Sequence, residues 1–151
     1  MQNTMTKTGA ALFALWGVLH IWVGYEGLHQ YLTAGAPGQW MMLLGGSAMP
    51  REAFQMATDP ATLFAQSQLI LNFTMDVGAS GVLALFVAWM LWRQPSWLAF
   101  ALGAVVIGIV DLSFLGALVM PGVIEFSLPV LAGPIIWFLA IGASALGLRQ
   151  A

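Results

Sequence analysis

Four ionisable side chains interrupt the long apolar stretches of this sequence and are its first candidates for chemistry. They are Glu26, His29, Asp76 and Asp111. An ionisable group within a membrane-spanning helix is costly to bury and commonly marks a functional site. Three carboxyl groups share one nearby imidazole, with no Lys or Arg at the same depth. Carboxyl groups beside a histidine suit general acid–base catalysis, so we predict that these four residues are catalytic.

Helical spacing groups further polar and aromatic residues with these four. Trp22, Glu26 and His29 follow i, i+4, i+7 spacing and share a helix face. A polar stripe on the second predicted helix is expected to face the bundle interior, because lipid would leave it unpaired. Its members are spaced by four and are Gln68, Asn72, Asp76 and Ser80. The predicted substrate-binding residues are Trp22, Tyr25, Gln68 and Asn72.

The three acids are predicted to lie at one depth. Glu26, Asp76 and Asp111 are 17 to 19 residues from the basic residue that anchors each helix, which is Lys7 or Arg93. With a rise of about 1.5 Å per residue, all three fall in the outer half of the membrane. We therefore expect one polar chamber there. The alternative is a network that only pairs buried groups and holds the helices together.

The sequence supports a metal or haem site less strongly than it supports an acid–base site. Glu26-x-x-His29 occurs once, whereas di-iron bundles use two such pairs and two further glutamates. A mononuclear site with Glu26, His29 and either Asp76 or Asp111 is left as an alternative, and no metal ligand is assigned. His20 is about half a turn out of phase with His29 and points the other way. It is expected to be structural, with haem ligation between subunits as the alternative, so the cofactor stays unknown.

Composition identifies the class of protein that holds these residues. The chain has 151 residues, of which 60% are hydrophobic and only 7% are charged. Soluble domains carry about 25% charged residues, so lipid must cover most of this surface. The net charge of −2 argues against nucleic acid as a partner. The absence of cysteine excludes disulfides and thiol catalysis.

The apolar stretches predict one all-α domain, a four-helix bundle that crosses the membrane. A helix needs about 20 residues to cross the hydrocarbon. The predicted spans are 8–32, 63–92, 96–120 and 134–148. Asp59 is predicted to cap the second helix, and Pro121-Gly122 to end the third. A short interfacial segment separates the first two spans, and residues 50–57 are predicted to form an amphipathic helix there.

Charge asymmetry predicts the orientation of the bundle. One end carries three basic residues and no acid, namely Lys7, Arg93 and Arg149. The other end carries Arg51 together with three acids, namely Glu52, Asp59 and Glu125. The positive-inside rule then places both termini in the cytoplasm, with the chain in the inner (cytoplasmic) membrane.

Several segments resemble known membrane proteins. LWGVLH at 15–20, VDLSF at 110–114, MPG at 120–122 and GPIIW at 133–137 resemble a family of uncharacterised small four-helix bacterial membrane proteins. Ser67 and Asn72 are spaced similarly to residues in the second helix of styrene oxide isomerase, a small four-helix enzyme with a haem between subunits. The position that matches its haem-binding histidine is Gln66 here.

Three functions follow from these patterns. The first is an isomerase-like proton transfer on, or simple binding of, a lipophilic small molecule at the acid–histidine cluster. The second is an accessory subunit of a larger membrane complex, and the third is proton or ion transport. The expected partners are membrane lipid, such a small molecule and further copies of the chain, and whether the chain is an enzyme is left open.

Overall fold

The computed structural model describes residues 4–150, which form four long helices. These are α1 (Thr4–Leu43), α2 (Pro60–Arg93), α3 (Trp97–Val119) and α4 (Leu128–Arg149). Each helix is long and apolar enough to cross a membrane. The described residues contain no strand beyond two isolated bridges. The prediction of an all-α chain with four membrane-compatible helices is confirmed.

Helix α1 is 40 residues long but is broken near its end. Gly35 has φ 69°, a backbone conformation that favours glycine, and Pro37 follows it. The helix therefore continues past the predicted end of the first span at residue 32 and resumes beyond the break. Trp40 lies in this second part and stacks near Phe54, with ring centroids 5.2 Å apart.

The predicted start of α2 is confirmed at Asp59. Its carboxylate Oδ1 accepts a hydrogen bond of 2.8 Å from the backbone N–H of Thr62. Pro60 occupies the first turn, where its missing N–H removes no helical bond. The Thr62 hydrogen bond is the main cause that lowers the pKa of Asp59, which is exposed and lies outside the apolar core of the bundle.

Helix α3 contains two π-helical stretches that the sequence analysis did not predict. Leu102–Ile107 and Leu115–Val119 are wound more loosely, and the α-helical stretch Gly108–Phe114 lies between them. The carbonyl oxygen of Gly103, in the first stretch, accepts a hydrogen bond of 3.0 Å from Trp137 Nε1. The helix stops before Pro121 and Gly122, as predicted, and Gly122 has φ 78°. Such π turns often occur at functional sites.

The predicted start of α4 is wrong. The helix begins at Leu128, six residues before Pro134, and Pro134 lies within it. Pro129 is in the first turn, where proline is tolerated. Pro134 removes one hydrogen bond near the start of the helix, and such losses are accommodated in packed membrane helices. Gly133 and Pro134 are both buried against the other helices, which supports the continuous helix.

The segment between α1 and α2 is mostly non-helical. The amphipathic helix predicted at 50–57 is wrong, because only Arg51–Ala53 form a single 3-10 turn. The N–H of Ala57 donates to Gln66 Oε1 at 3.1 Å instead of to a helical carbonyl. Gly46 and Ala48 donate to Val123 and Gly122 at 3.1 and 2.8 Å, so the segment is held against the α3–α4 connection.

Glycines bring α1 into close contact with its neighbours. Ideal Cβ atoms built on Gly17 and Gly24 would lie 2.7 Å from the Gly81 carbonyl and 2.6 Å from the Gly78 Cα of α2. Gly27 stands equally close to Thr74. Gly17, Gly24 and Gly27 therefore allow the close approach of α1 and α2. These contacts occupy one face of α1 and one face of α2. Side chains on the other faces of the two helices can therefore point outward.

Candidate functional site

Asp111 is the only acid of the predicted set that is fully buried among the described residues. It lies in the α-helical stretch of α3 and is 2% exposed. Its Oδ2 accepts a hydrogen bond of 2.9 Å from Nε1 of Trp16 on α1, and Trp16 is fully buried. A buried carboxyl group requires such a donor, so the tryptophan fixes Asp111 at the α1–α3 contact.

His20 lies beside this pair, one turn after Trp16. Its imidazole stacks on the indole with ring centroids 3.4 Å apart and planes 13° apart. Its Nδ1 lies 2.9 Å from the Trp16 carbonyl oxygen. Because a carbonyl oxygen only accepts, we assign the hydrogen to Nδ1, which leaves Nε2 as an acceptor in the neutral ring. The sequence analysis placed His20 on the face away from His29, and the structure agrees.

Gly133 of α4 completes the cluster. An ideal Cβ there would lie 2.9 Å from His20 Cε1, 3.3 Å from His20 Nε2 and 3.4 Å from Asp111 Oδ1. The histidine and the acid therefore converge on one point of the α4 backbone. We call Trp16, His20, Asp111 and Gly133 the core cluster. It joins three helices and was not predicted, since Asp111 had been grouped with His29 by depth.

The core cluster does not fit a haem. The face of the His20 ring is covered by Trp16, and its Nε2 edge stands against the backbone of Gly133. Gln66, at the position that resembles a haem-binding histidine, instead accepts a hydrogen bond from Ala57. We therefore derive no chemistry through haem.

Glu26 and His29 lie on a different surface, which we call the α1 outward face together with Trp22 and Tyr25. Trp22 and Tyr25 are 60% and 62% exposed, and His29 is exposed as well. Glu26 accepts a hydrogen bond of 2.7 Å from Gln30 on its own helix. The His29 ring lies parallel to Tyr25 with centroids 6.2 Å apart. This surface points away from the core cluster.

The polar stripe of α2 also faces outward. Gln68, Asn72 and Asp76 are all exposed, so the prediction that they face the interior is wrong within a single chain. Thr74, Gly78 and Gly81 occupy the side of α2 that contacts α1. The polar stripe lies on other sides of the helix. Asn72 Nδ2 donates to Asp76 Oδ2 at 2.8 Å. This is the second polar surface that the bundle alone leaves uncovered.

A shallow, open groove of about 390 Å³ lies along this stripe. We call it the α2 groove. Its polar lining comes from Gln68 and Asn72, and its apolar lining from Leu69, Leu71 and Met75. Asp76 is one turn below Asn72 and bonded to it. Apolar walls with a few polar groups are typical of small-molecule sites.

The structure does not gather the four predicted catalytic residues into one chamber. Glu26, Asp76 and Asp111 each hydrogen-bond a different neighbour, namely Gln30, Asn72 and Trp16. Within residues 4–150, no three His, Asp or Glu side chains lie close enough to hold a metal ion. The residues instead form the core cluster, the α1 outward face and the α2 groove.

These three places differ in what they can do. Trp16, Asp111 and Gly133 of the core cluster are buried. The α2 groove instead offers the exposed amide of Asn72 beside apolar walls, with the exposed carboxyl group of Asp76 bonded to it. Such a surface can accept or donate protons and hydrogen bonds to a molecule that arrives from lipid. Comparison with known proteins adds no further assignment, because no family model, no curated protein and no solved structure matches this chain.

Proposed function

We propose that this chain is a membrane protein that binds a lipophilic small molecule with a hydroxyl or amine head group in the α2 groove. The observation that carries the proposal is the Asn72–Asp76 pair, 2.8 Å apart and exposed, beside a shallow groove with apolar walls. Asp76 is 17 residues from Arg93, which corresponds to a depth of about 25 Å at the helical rise. Counted in the same way, the groove-lining residues 68–75 lie about 27–38 Å from Arg93, so the groove is at the outer edge of the roughly 30 Å hydrocarbon layer.

The chemistry of the groove matches a molecule that is mostly apolar. Leu69, Leu71 and Met75 of the lining contact its hydrocarbon part. Asn72 of the lining and Asp76, which is hydrogen-bonded to Asn72 beside the groove, bond its head group. One oxygen of Asp76 is already paired with Asn72, and the other is available to the ligand. In lipid, an unpaired carboxyl group is costly, so a ligand that bonds it gains stability from the low polarity around it.

Asp76 also gives the site its capacity for proton transfer. A carboxyl group that contacts the ligand can remove a proton from one position and return it to another, and it then regains its starting state. This is the chemistry of an isomerase, which requires no nucleophile. Of the four residues predicted to be catalytic, this proposal retains Asp76. Asn72 orients the ligand beside it.

We place the groove in the outer half of the inner membrane, with both termini in the cytoplasm. The structure supports a shared end for the N-terminus and the α2–α3 turn, since Lys7 Nζ lies 5.5 Å from the Trp92 ring centroid. Arg93 and Arg149 are in the last turns of α2 and α4. The positive-inside rule assigns this basic end to the cytoplasm.

Photolabelling tests the proposal. The protein in lipid nanodiscs is irradiated with a diazirine-bearing long-chain alcohol, and the labelled residues are mapped by mass spectrometry. We expect the label to concentrate between Gln68 and Asp76 and to be displaced by excess unlabelled alcohol. Asp76→Leu should reduce it about tenfold, whereas Glu26→Gln, which alters a carboxylate on another face, should not. Even labelling of all lipid-facing surfaces, with no displacement, would reject the ligand site.

A second candidate is an accessory subunit of a larger membrane complex, and the α1 outward face favours it. Trp22 and Tyr25 are more than half exposed, and the polar groups of Glu26 and His29 lie beside them. Aromatic residues of this kind are enriched at protein interfaces. A photo-crosslinking amino acid at Trp22 should join the chain to one defined protein in native membranes. Crosslinks to lipid alone would contradict this role.

Transport receives less support from the geometry. A relay needs proton-carrying groups within hydrogen-bonding reach of one another. Among the described residues, Glu26, Asp76 and Asp111 are bonded to three different neighbours, and Asp111 is sealed by Trp16. The single chain therefore offers no continuous path along its acids.

A further inference from the structure

We infer that the side of α2 opposite α1 is an interface with a second copy of this chain, and that Asn72 and Asp76 bond across it. This inference concerns how the chain assembles and does not require the proposed ligand. Its evidence is a seam of side chains on α2 that the bundle leaves uncovered, with polar groups within it that lipid cannot satisfy.

The seam repeats at alternating spacings of three and four residues. Its members are Leu69, Asn72, Asp76, Ala79, Leu83 and Phe86. Such spacing is the pattern of helices that pack along one another. Leu69 is 70% exposed and Phe86 is 51% exposed; Asn72, Asp76 and Ala79 are exposed, and Leu83 is half-buried. We call these six residues the α2 seam.

The opposite face of α2 is already used. Thr74, Gly78 and Gly81 contact α1 at backbone distance. Residues of the α2 seam are offset from these by half a helical turn on average, so α1 cannot cover them. The seam therefore faces lipid in a single copy, although it carries a carboxyl group and an amide.

Hydrocarbon satisfies neither group. Asn72 uses one N–H to bond Asp76 Oδ2, so its second N–H, its own carbonyl oxygen and Asp76 Oδ1 are without a partner in the chain. Unpaired polar groups at this depth are strongly unfavourable. Polar side chains of this kind commonly bond between membrane helices.

A second copy supplies the missing partners without any other protein. Around a two-fold axis along the membrane normal, each α2 seam meets itself, and residue contacts are reciprocal. Asn72 of one copy then donates its second N–H to Asp76 Oδ1 of the other, and the reverse bond forms equally. Because a carboxylate oxygen can accept two hydrogen bonds, Oδ1 keeps one acceptor position for a ligand. A polar asparagine within an apolar seam is known to fix register and favour a pair. Ala79, one turn further along, is small enough to allow close approach.

The interface also affects the α2 groove. Leu69 and Asn72 belong to both the α2 seam and the groove lining. A second copy placed on the seam adds a wall to the open side of the groove. Each copy then contributes half of a site that is shallow when the chain is alone.

Cysteine crosslinking tests the inference cleanly because the chain has no native cysteine. Ala79→Cys places a thiol on the seam, and Ile109→Cys places one on the exposed face of α3, where Ile109 is 63% exposed. On oxidation in lipid bilayers, we expect at least tenfold more covalent dimer from Ala79→Cys. The particle mass of the uncrosslinked wild type should be twice the chain mass of 16.1 kDa.

Two further variants, each combined with Ala79→Cys, distinguish the contribution of the Asn72–Asp76 bond from nonspecific association of apolar surfaces. Asn72→Leu with Asp76→Leu should reduce crosslinking about tenfold. Asn72→Asp with Asp76→Asn exchanges donor and acceptor but keeps the reciprocal pair, so crosslinking should stay within twofold of the parent. Circular dichroism and a single elution peak confirm folding of each variant.

Equal crosslinking of Ala79→Cys and Ile109→Cys, or a particle mass of one chain, would overturn the interface. So would failure of the donor–acceptor exchange to restore crosslinking in a folded variant. The photolabelling result is read separately. If the label is displaceable but no dimer forms, the proposed ligand site is retained and the dimer interface is rejected. If a dimer forms but the label is not displaceable, the dimer interface is retained and the ligand site is rejected.

Discussion

Trp16 and Asp111, 95 residues apart in sequence, are joined by a buried hydrogen bond of 2.9 Å between the indole Nε1 and a carboxyl oxygen. His20 stacks on the same indole, and its ring and the second Asp111 oxygen both converge on Gly133. The most buried acid of the described chain is therefore a contact between helices. Its role is to position α1, α3 and α4 relative to one another.

Replacing Trp16 tests this role. Trp16→Phe keeps an aromatic ring but removes the indole N–H that donates to Asp111, so a buried oxygen loses its partner. We expect the free energy of unfolding in mixed detergent micelles to fall by about 1–3 kcal/mol. Asp111→Asn keeps an acceptor oxygen and should lose less than about 1 kcal/mol.

A double-mutant cycle with Asp111→Leu gives the control. If the hydrogen bond stabilises the bundle, the loss in Trp16→Phe/Asp111→Leu is smaller than the sum of the two single losses. Strict additivity of the two losses would mean that the contact contributes nothing to stability, and the positioning role of Asp111 would be rejected.

Gly17 provides a prediction about the α1–α2 contact. A Cβ at this position would lie 2.7 Å from the Gly81 carbonyl oxygen, which is backbone and cannot rotate away. Gly17→Ala should therefore destabilise the bundle by about 1–3 kcal/mol, because the two helices must separate. Thermal unfolding followed by circular dichroism measures the loss.

Gly142 is the matched control for Gly17. It lies within α4, and nothing surrounds its ideal Cβ within 4 Å. Gly142→Ala should leave stability unchanged or raise it by up to about 1 kcal/mol through helix propensity. Equal effects of the two substitutions would show that close packing at Gly17 is not what limits stability.

The position of each acid along its helix could be counted from the sequence, whereas the direction of each side chain could not be predicted. Counting residues from Lys7 and Arg93 gives the distance along a helix, and this count grouped three acids. The face that each acid occupies depends on which side of its helix packs. Thr74, Gly78 and Gly81 turn toward α1, which leaves Asp76 outward. Only the tertiary contact decides this.

A local signal for the core cluster did exist in the sequence. Trp16 and His20 are one turn apart, so their rings were available to stack. The partner helix of such a pair is not determined by local spacing, and Asp111 could equally have met His29. The π-helical stretches on either side of Asp111 were also beyond prediction, because they depend on how α3 fits its neighbours.

Helix boundaries were predictable where a local hydrogen bond sets them. Asp59 caps α2 through Thr62, and Ser96 caps α3 through the N–H of Ala99 at 3.2 Å. At α4, Pro134 was read as a helix start, but burial of Gly133 and Pro134 among the other helices favours continuation. Tertiary packing here outweighs the local preference of proline.

The orientation of the bundle yields a prediction that needs no ligand. Gln94→Cys places a thiol in the α2–α3 turn, and Glu52→Cys places one at the other end, and both residues are exposed. A membrane-impermeant maleimide added to intact bacterial spheroplasts should label Glu52→Cys alone. After lysis, both should react. Labelling of Gln94→Cys in intact spheroplasts would reverse the proposed topology.

The cap of α2 yields a prediction about pH. The hydrogen bond from the Thr62 N–H lowers the pKa of Asp59 below its ordinary value of 3.8. A carboxyl group with a lowered folded-state pKa stabilises the fold above the unfolded value, and this contribution is lost as the pH falls through the folded value. Protection of the Thr62 amide from hydrogen exchange should thus be steady at neutral pH and decline only below about pH 3.8.

Two substitutions at Asp59 separate the charge from the cap. Asp59→Asn keeps a side-chain oxygen that can accept the Thr62 N–H, so protection should persist while its dependence on acid disappears. Asp59→Ala removes the acceptor, and exchange in the first turn of α2 should become faster than in the wild type wherever Asp59 is ionised, because the N–H of Thr62 loses its partner. If Asp59→Ala exchanged as slowly as the wild type, Pro60 and the helix itself would hold the first turn without the cap. The acid dependence predicted for Thr62 should then also be missing from the wild type.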